Sequence, residues 1–184
     1  MKNKGEKAWF PMRVTYNREV KIKKNLDGEG IENFLPMRYE FEKTDDWNVR
    51  RNMVPAIHGL IFVHSTQQQL TWLKMTKPEF EPLRYTPNRL SPNPSESILR
   101  VPDREMENFI RVASTQNERV EYLEMSDYLL KPGKRVRITD GQFKGAEGVI
   151  KRIKKRQCVV VQVEGVAAVA ITFVPSAWLE NMNE

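Results

Sequence analysis

The 184-residue sequence predicts an α+β protein in two parts: a mixed or antiparallel sheet with helices packed on it, then a small all-β barrel. Three observations carry that expectation. Over residues 1–113, stretches with the period of a strand alternate with stretches that have the period of a helix. After residue 128, four β-rich runs follow one another, punctuated by Gly141, Gly145, Gly148 and Gly165. The charge is also split: residues 1–127 carry a net +1 and residues 128–184 a net +5, which together give the +6 of the chain. The basic surplus therefore belongs to the second part. It suits a nucleic acid or an acidic protein surface as partner, although many small soluble domains are mildly basic without one.

In the first part, Phe10, Met12 and Val14 alternate with Trp9, Pro11 and Arg13, so residues 8–16 read as a strand. Pro11 lacks a ladder donor and calls for a free edge or a bulge. Asn17 is placed to cap a helix from Arg18-Glu19 through Ile22 and Leu26, ended by Gly28 and Gly30. Residues 31–43 read as extended with a break at Pro36, and residues 44–52 as a loop or hairpin tip. Leu60-Ile61-Phe62-Val63 is the densest buried-strand signal. Thr66-x-x-Gln69 is a capping-box pattern opening a helix through Leu70 and Leu73. The chain is extended again near residues 80–87, and residues 88–97 form a loop rich in Asn, Pro and Ser. Pro102 and Asp103 start a third helix with Met106, Phe109, Ile110 and Ala113 on one face. The first domain is thus expected over residues 7–113, a linker over 114–127 and the barrel over 128–184.

Within the barrel, residues 158–174 are dominated by Val, Ile, Thr and Phe, with Gly165 in the middle. Such a run favours strands over a helical hairpin. A turn is expected near Pro175-Ser176-Ala177.

Enzymatic signatures are lacking. Gly141, Gly145 and Gly148 are not followed by the Lys-Ser/Thr of a phosphate loop, and a strand follows them. His58 and His64 do not have the spacing of a metal-binding helix pair. Cys158, the single cysteine, heads an apolar strand and reads as core. No catalytic residue, metal ligand or cofactor is expected. No apolar run approaches the roughly 20 residues of a membrane helix, and the N-terminus lacks the apolar stretch of a secretory signal. A cytoplasmic protein without a membrane partner is expected.

Two motifs go further. Residues 133–153, with Asp140-Gly141, Phe143-x-Gly145 and Glu147-Gly148-Val149-Ile150, resemble a KOW motif, an SH3-like barrel. Gly141 and Gly145 would permit the tight turns, and Phe143 would plug the barrel end. Trp9-Phe10, Phe34-Leu35-Pro36 and His58-Gly59-Leu60-Ile61-Phe62-Val63 resemble the N-terminal domain of NusG-type transcription factors. Two positions depart, His58 where the family has proline and Leu60 where it has tyrosine. Residues 15–19, 101–107 and 173–180 further resemble the UpxY-type antiterminators of capsular polysaccharide operons in Bacteroidales.

The resemblance implies a non-enzymatic elongation or antitermination factor. It would bind the clamp helices of the largest catalytic subunit of RNA polymerase, bridge the cleft and suppress pausing. The implied polymerase-binding residues are Trp9, Phe10, Arg13, Phe34, Leu35, Leu60 and Phe62, by burial of apolar side chains against a partner helix. Strand alternation must also send some of these inward as ordinary core. Thr66, Gln67 and Gln68 lie where related factors make a polar contact across the cleft, and a simple helix cap explains them equally well. Lys151, Arg152, Lys154, Lys155 and Arg156, with Phe143, are the candidates for nascent RNA, non-template DNA or a ribosomal protein. The basic run also reads as a solvated hairpin tip. An RNA-binding or ribosome-associated KOW protein is the alternative.

Overall fold

The computed structural model describes residues 5–43, 49–88, 91–93, 97–123 and 133–182. They form two compact units, residues 1–103 and 104–184.

The first unit is built on a four-stranded antiparallel sheet. Its strands are β1 (Ala8–Val14), β2 (Asn33–Phe34), β5 (Leu60–Ser65) and β6 (Leu83–Tyr85), in the order β2-β5-β1-β6. Strands β3 (Met37–Lys43) and β4 (Val49–Pro55) form a separate two-stranded hairpin. Register explains why Pro11 is tolerated in a central strand. The Trp9 carbonyl accepts from Val101 N–H at 2.9 Å, so the odd residues of β1 direct their backbone groups away from β5. Strand β6 pairs only with Met12–Val14 on that side, so Pro11 falls in a gap between Val101 and β6. The expected free edge exists, but only locally.

One face of this sheet carries Phe10, Met12, Val14, Ile61 and Val63. It packs with Ile22 and Leu26 of α1 (Glu19–Gly28) and with Leu70 and Leu73 of α2 (Gln67–Thr76) in a single buried cluster. Helix α1 does not start as expected. Asn17 makes no cap; Tyr16 and Asn17 both adopt left-handed backbone, with φ of 64° and 52°, and Arg18 occupies the cap position with no side-chain hydrogen bond. Asparagine tolerates that conformation, so the turn makes use of its backbone tolerance and not of its oxygen. The start is instead tied down by buried Glu19, whose Oε1 accepts from Gly59 N–H at 2.5 Å. Helix α2 starts as expected: Thr66 Oγ1 accepts from Gln69 N–H at 3.1 Å, while Gln69 Oε1 accepts from the Ser65 hydroxyl at 2.7 Å.

The second unit contains α3 (Asp103–Ala113) from Arg104 onward, and a six-stranded antiparallel sheet. The strands are β7 (Val120–Leu123), β8 (Arg135–Ile138), β9 (Glu147–Ile153), β10 (Arg156–Val163), β11 (Ala167–Thr172) and β12 (Leu179–Asn181), in the order β12-β8-β9-β10-β11-β7. Residues 158–163 and 167–172 are strand, joined by a turn at residues 164–166, with Cys158 and Val159–Val161 buried on both faces. Strand β7 occupies part of the expected linker, pairing Val120–Leu123 with Ala168–Ile171, and β12 was not anticipated. The turn near the C-terminus is a 3-10 turn at Ser176–Trp178. On α3, Val112 joins Met106, Phe109 and Ala113 as buried, and Ile110 is only half-buried.

Gly141 has a φ of 76°, and a Cβ there would meet the Trp178 ring at 2.6 Å. Gly148 has a different constraint: a Cβ would meet the Val160 carbonyl oxygen of the paired strand at 2.6 Å. Because that obstacle is backbone, Gly148→Ala is expected to destabilise the chain by about 2 kcal/mol or more. Thr66→Ala, which removes one cap, is expected to cost about 1 kcal/mol. Urea titrations of the two variants check the order; equal midpoint losses would contradict it.

Candidate partner-binding surfaces

The second face of the four-stranded sheet holds most of the expected polymerase-binding residues. Alternation puts Trp9, Pro11 and Arg13 of β1 on it, opposite His64, Phe62 and Leu60 of β5, with Phe34 of β2 beside Phe62. The structure brings these side chains together, yet it does not expose most of them. Trp9, Leu60 and Phe62 are buried in the chain, Phe34 is half-buried and Arg13 is exposed. Phe10 and Leu35 belong to the opposite cluster with α1 and α2 and are core. The expectation of open apolar anchors is thus corrected for Trp9, Phe10, Leu35, Leu60 and Phe62. The physical reason is that both faces of β5 are covered, so alternation did not separate an inner from an outer face.

A polar edge adjoins this face. The Trp9 indole stacks on the His64 imidazole at 4.9 Å between centroids and 14° between planes. His64 Nδ1 lies 2.6 Å from Glu32 Oε2. One residue beyond β5, Thr66 caps α2. Gln67 Oε1 accepts from the Arg100 guanidinium at 3.1 Å, and Gln68 is exposed. The cap and a free polar surface therefore coexist at Thr66–Gln68.

In the second unit, β9 and β10 are joined by a two-residue turn, Lys154-Lys155, with Ile153 paired to Arg156. The two lysines have φ of 47° and 67° and are exposed. Such a turn favours Asn-Gly, because positive φ disfavours a Cβ. Arg152 is exposed and Lys151 half-buried; Arg156 is bound to Glu121 at 2.8 Å. Lys154 and Lys155 thus form the tip, Arg152 is exposed beside it, Lys151 lies further along β9, and Arg156 is held by an ion pair. Phe143 is buried, at 7% exposure, so its ring is not open as a contact surface.

Glu147 organises the start of β9. Its carboxylate accepts from Arg137 (2.7 Å) and Arg104 (2.8 Å), and these hold its pKa below the usual carboxylate value, the Arg137 hydrogen bond contributing most. The Asn108 amide donates to the Glu147 carbonyl at 2.6 Å and accepts from its N–H at 2.9 Å, standing in for a ladder partner. Among the described residues, no group of three or more His, Cys, Asp or Glu is placed to hold a metal ion. Burial pushes the Cys158 thiol pKa up, which disfavours the reactive thiolate. No helix among the described residues is long and apolar enough to cross a membrane.

The alternation of Met37, Tyr39, Phe41 and Lys43 along β3 marks one face of the β3–β4 hairpin, a surface absent from the expected contacts. Residues 44–48 of the expected loop lie outside the described residues, and Val49–Asn52 are strand.

A family model described as transcription termination factor nusG matches residues 7–110. A KOW motif model matches residues 132–164. No curated protein matches the chain significantly.

Two predictions follow from the second unit. Replacing Lys154-Lys155 by Asn-Gly is expected to stabilise the chain by roughly 1–2 kcal/mol, since it relieves two left-handed residues; a thermal melt at or below the parent midpoint would contradict this. Glu147, with a lowered native pKa, contributes stability that is present above its ordinary pKa and lost as pH falls through the lowered one. Glu105, whose pKa burial raises, acts in the opposite sense. Glu147→Gln is therefore expected to lower the melting midpoint more at pH 7 than at pH 3. A deficit that is the same at both values would contradict the assignment.

Proposed function

Because the chain belongs to the NusG family, we propose that it is a transcription elongation and antitermination factor that binds RNA polymerase, bridges its cleft and suppresses pausing or termination. The NusG and KOW families are non-catalytic, and the mechanism is one of binding alone. A factor of this kind favours the productive polymerase conformation only by its differential affinity for that state over the paused one.

The observation that carries the proposal is one sheet face floored by Trp9, Leu60 and Phe62, with Arg13 at one end, Phe34 beside Phe62, and Thr66, Gln67 and Gln68 just beyond the other end. Arg13 and Gln68 are exposed and Phe34 is half-exposed, so they are the accessible contacts. Trp9, Leu60 and Phe62 shape the floor beneath them. In this reading residues 7–113 are the polymerase-binding part, the clamp helices are the partner, and the Lys154-Lys155 tip reaches RNA, non-template DNA or a ribosomal protein. The resemblance of residues 15–19, 101–107 and 173–180 to UpxY-type factors favours a surface polysaccharide operon as the regulated unit. An RNA-binding or ribosome-associated role, the second reading, accounts for the basic turn but leaves the first unit without a task.

The test pairs capture with function. The full chain is expected to retain RNA polymerase, not ribosomes, from native lysate and to shorten pauses in a single-round elongation assay. Arg13→Glu combined with Phe34→Ala is expected to weaken capture about tenfold or more with an unchanged melting midpoint. Leu60→Ala is expected to lose stability, by about 2–5 kcal/mol, as a core truncation does. Unaffected capture by the double variant, or enrichment of ribosomes alone, would sink the proposal.

A further inference from the structure

Helix α2 presents an outer face whose chemistry its own packing does not explain. Leu70 and Leu73 turn into the core and are buried. Trp72 and Met75, three residues apart on the opposite side of the helix, are 56% and 81% exposed. The helix, Gln67–Thr76, holds no Asp or Glu, and its one charged residue is Lys74. Single exposed apolar residues are ordinary on a protein surface. A tryptophan and a methionine side by side on one helix face are not, because these are residue types that protein interfaces concentrate.

The margins of this face differ in charge. At the C-terminal end of the helix, Lys77 lies 5.9 Å from the Trp72 ring centroid and is bound to Glu29, so its charge is answered within the chain. Along the side that meets β6, Lys74 Nζ lies 4.5 Å from the Tyr85 ring centroid, and the Tyr85 hydroxyl lies 3.0 Å from Thr71 Oγ1. Arg100 reaches the same helix by donating to Gln67 Oε1 at 3.1 Å, and Arg84 precedes Tyr85 on β6, the edge strand. Among the described residues, Lys74 and Arg100 form no ion pair, and Arg84 has only Glu81, at 3.8 Å. Burial first, and the Arg84 charge second, hold the Lys74 pKa below the ordinary lysine value. Three cations thus gather beside the exposed apolar pair with one weak counter-ion between them, an arrangement that costs the free chain repulsion.

We propose that this face, Trp72 and Met75 with Lys74, Arg84 and Arg100 along one side, is the docking site for an acidic amphipathic helix of a protein partner. Charge complementarity selects that occupant. The partner's apolar side chains cover Trp72 and Met75, and the carboxylates along one of its edges meet the three cations. Met75 offers no flat ring to a base, and Lys77 occupies one approach to Trp72, so the face lacks the series of aromatic platforms that a nucleic acid strand stacks on. A second copy of the chain docked by the same face would set α2 against α2, and a helix without a carboxylate cannot answer these cations. The surface lies on the helix side of the four-stranded sheet, whereas Arg13 and Phe34 lie on the other, so it is separate from those two polymerase contacts.

The experiment uses the full chain without polymerase. The probe is a fluorescein-labelled peptide of about 18 residues, five helical turns, with Leu and Phe on one face and Glu on the other. A second peptide has every Glu replaced by Gln. Anisotropy is expected to show that the acidic peptide binds, that salt weakens it, and that the Gln peptide binds roughly tenfold more weakly. Trp72→Ala with Met75→Ala is expected to weaken the acidic peptide roughly tenfold, and Lys74→Gln to weaken it severalfold and lessen the salt dependence, with unchanged melting midpoints. Lys154→Ala with Lys155→Ala, away from this face, should leave the affinity roughly as it is in the parent. Amide shifts caused by the acidic peptide are expected to centre on Thr71–Thr76. If the acidic peptide does not bind, if both peptides bind alike, or if the Trp72 and Met75 double variant binds like the parent, the proposal is overturned. Thymidine oligomers and sedimentation of the chain alone probe the other occupants. Oligomer binding or self-association that the double variant abolishes would assign the face to nucleic acid or to a second copy, and would overturn the proposal as well.

Discussion

The antiparallel pairing of β1 with β5 is the constraint on which the first unit depends. Phe10, Met12 and Val14 face α1 and α2 only because the partners of Phe10 and Met12 are Val63 and Ile61. A slip of one residue would send Trp9 and Arg13 into that cluster and bring Phe10 out. The same register aligns Arg13 and Phe34 on the second face and sets the polar cap at Thr66 just beyond its edge. Fold and candidate site are therefore one decision, made by a single ladder. Glu19 reinforces it from outside: its carboxylate holds the Gly59 N–H, and the Gly59 carbonyl in turn accepts from Val14 at 2.9 Å.

The second unit solves a different problem. Its strands are short, and its turns are where backbone cost collects. Gly141 and Gly145 take the left-handed conformation that their turn demands, without a Cβ penalty. Lys154 and Lys155 take it with the penalty. Retaining two cations at a turn that would be more stable as Asn-Gly is the pattern expected where charge at the tip matters more than local stability. The hairpin β3–β4 shows a related trade, since an exposed phenylalanine on a small sheet gives up burial that a purely structural strand would seek.

Much of this was legible in the sequence. The capping pattern at Thr66, the apolar stripes of α1 and α2, the β-rich runs after residue 133 and the glycines of their turns each reflect a local rule that the tertiary structure respects. What escaped was set by distant partners. Val120–Leu123 has little strand signal alone, and it is a strand because β11 offers an edge. Leu179–Asn181 is one because β8 does. Asn17 looks like a cap, but Tyr16 and Asn17 itself are left-handed, and Arg18 takes the cap position. At the site, the family resemblance could name Trp9, Leu60 and Phe62 but could not tell that β5 is covered on both faces. A run of four consecutive apolar residues, Leu60–Val63, was the available signal, since a half-exposed strand would have alternated.

Native-state hydrogen exchange on the full chain tests the central claim most directly. The register directs the backbone groups of Phe10, Met12, Ile61 and Val63 into the β1–β5 ladder. Their amides are expected to be among the slowest of the first unit, exchanging only with its global unfolding. The amides of the β3–β4 hairpin should exchange orders of magnitude faster. If the hairpin amides proved as protected as those four, or if the four opened independently of one another, the β1–β5 ladder would not be the element on which the unit depends.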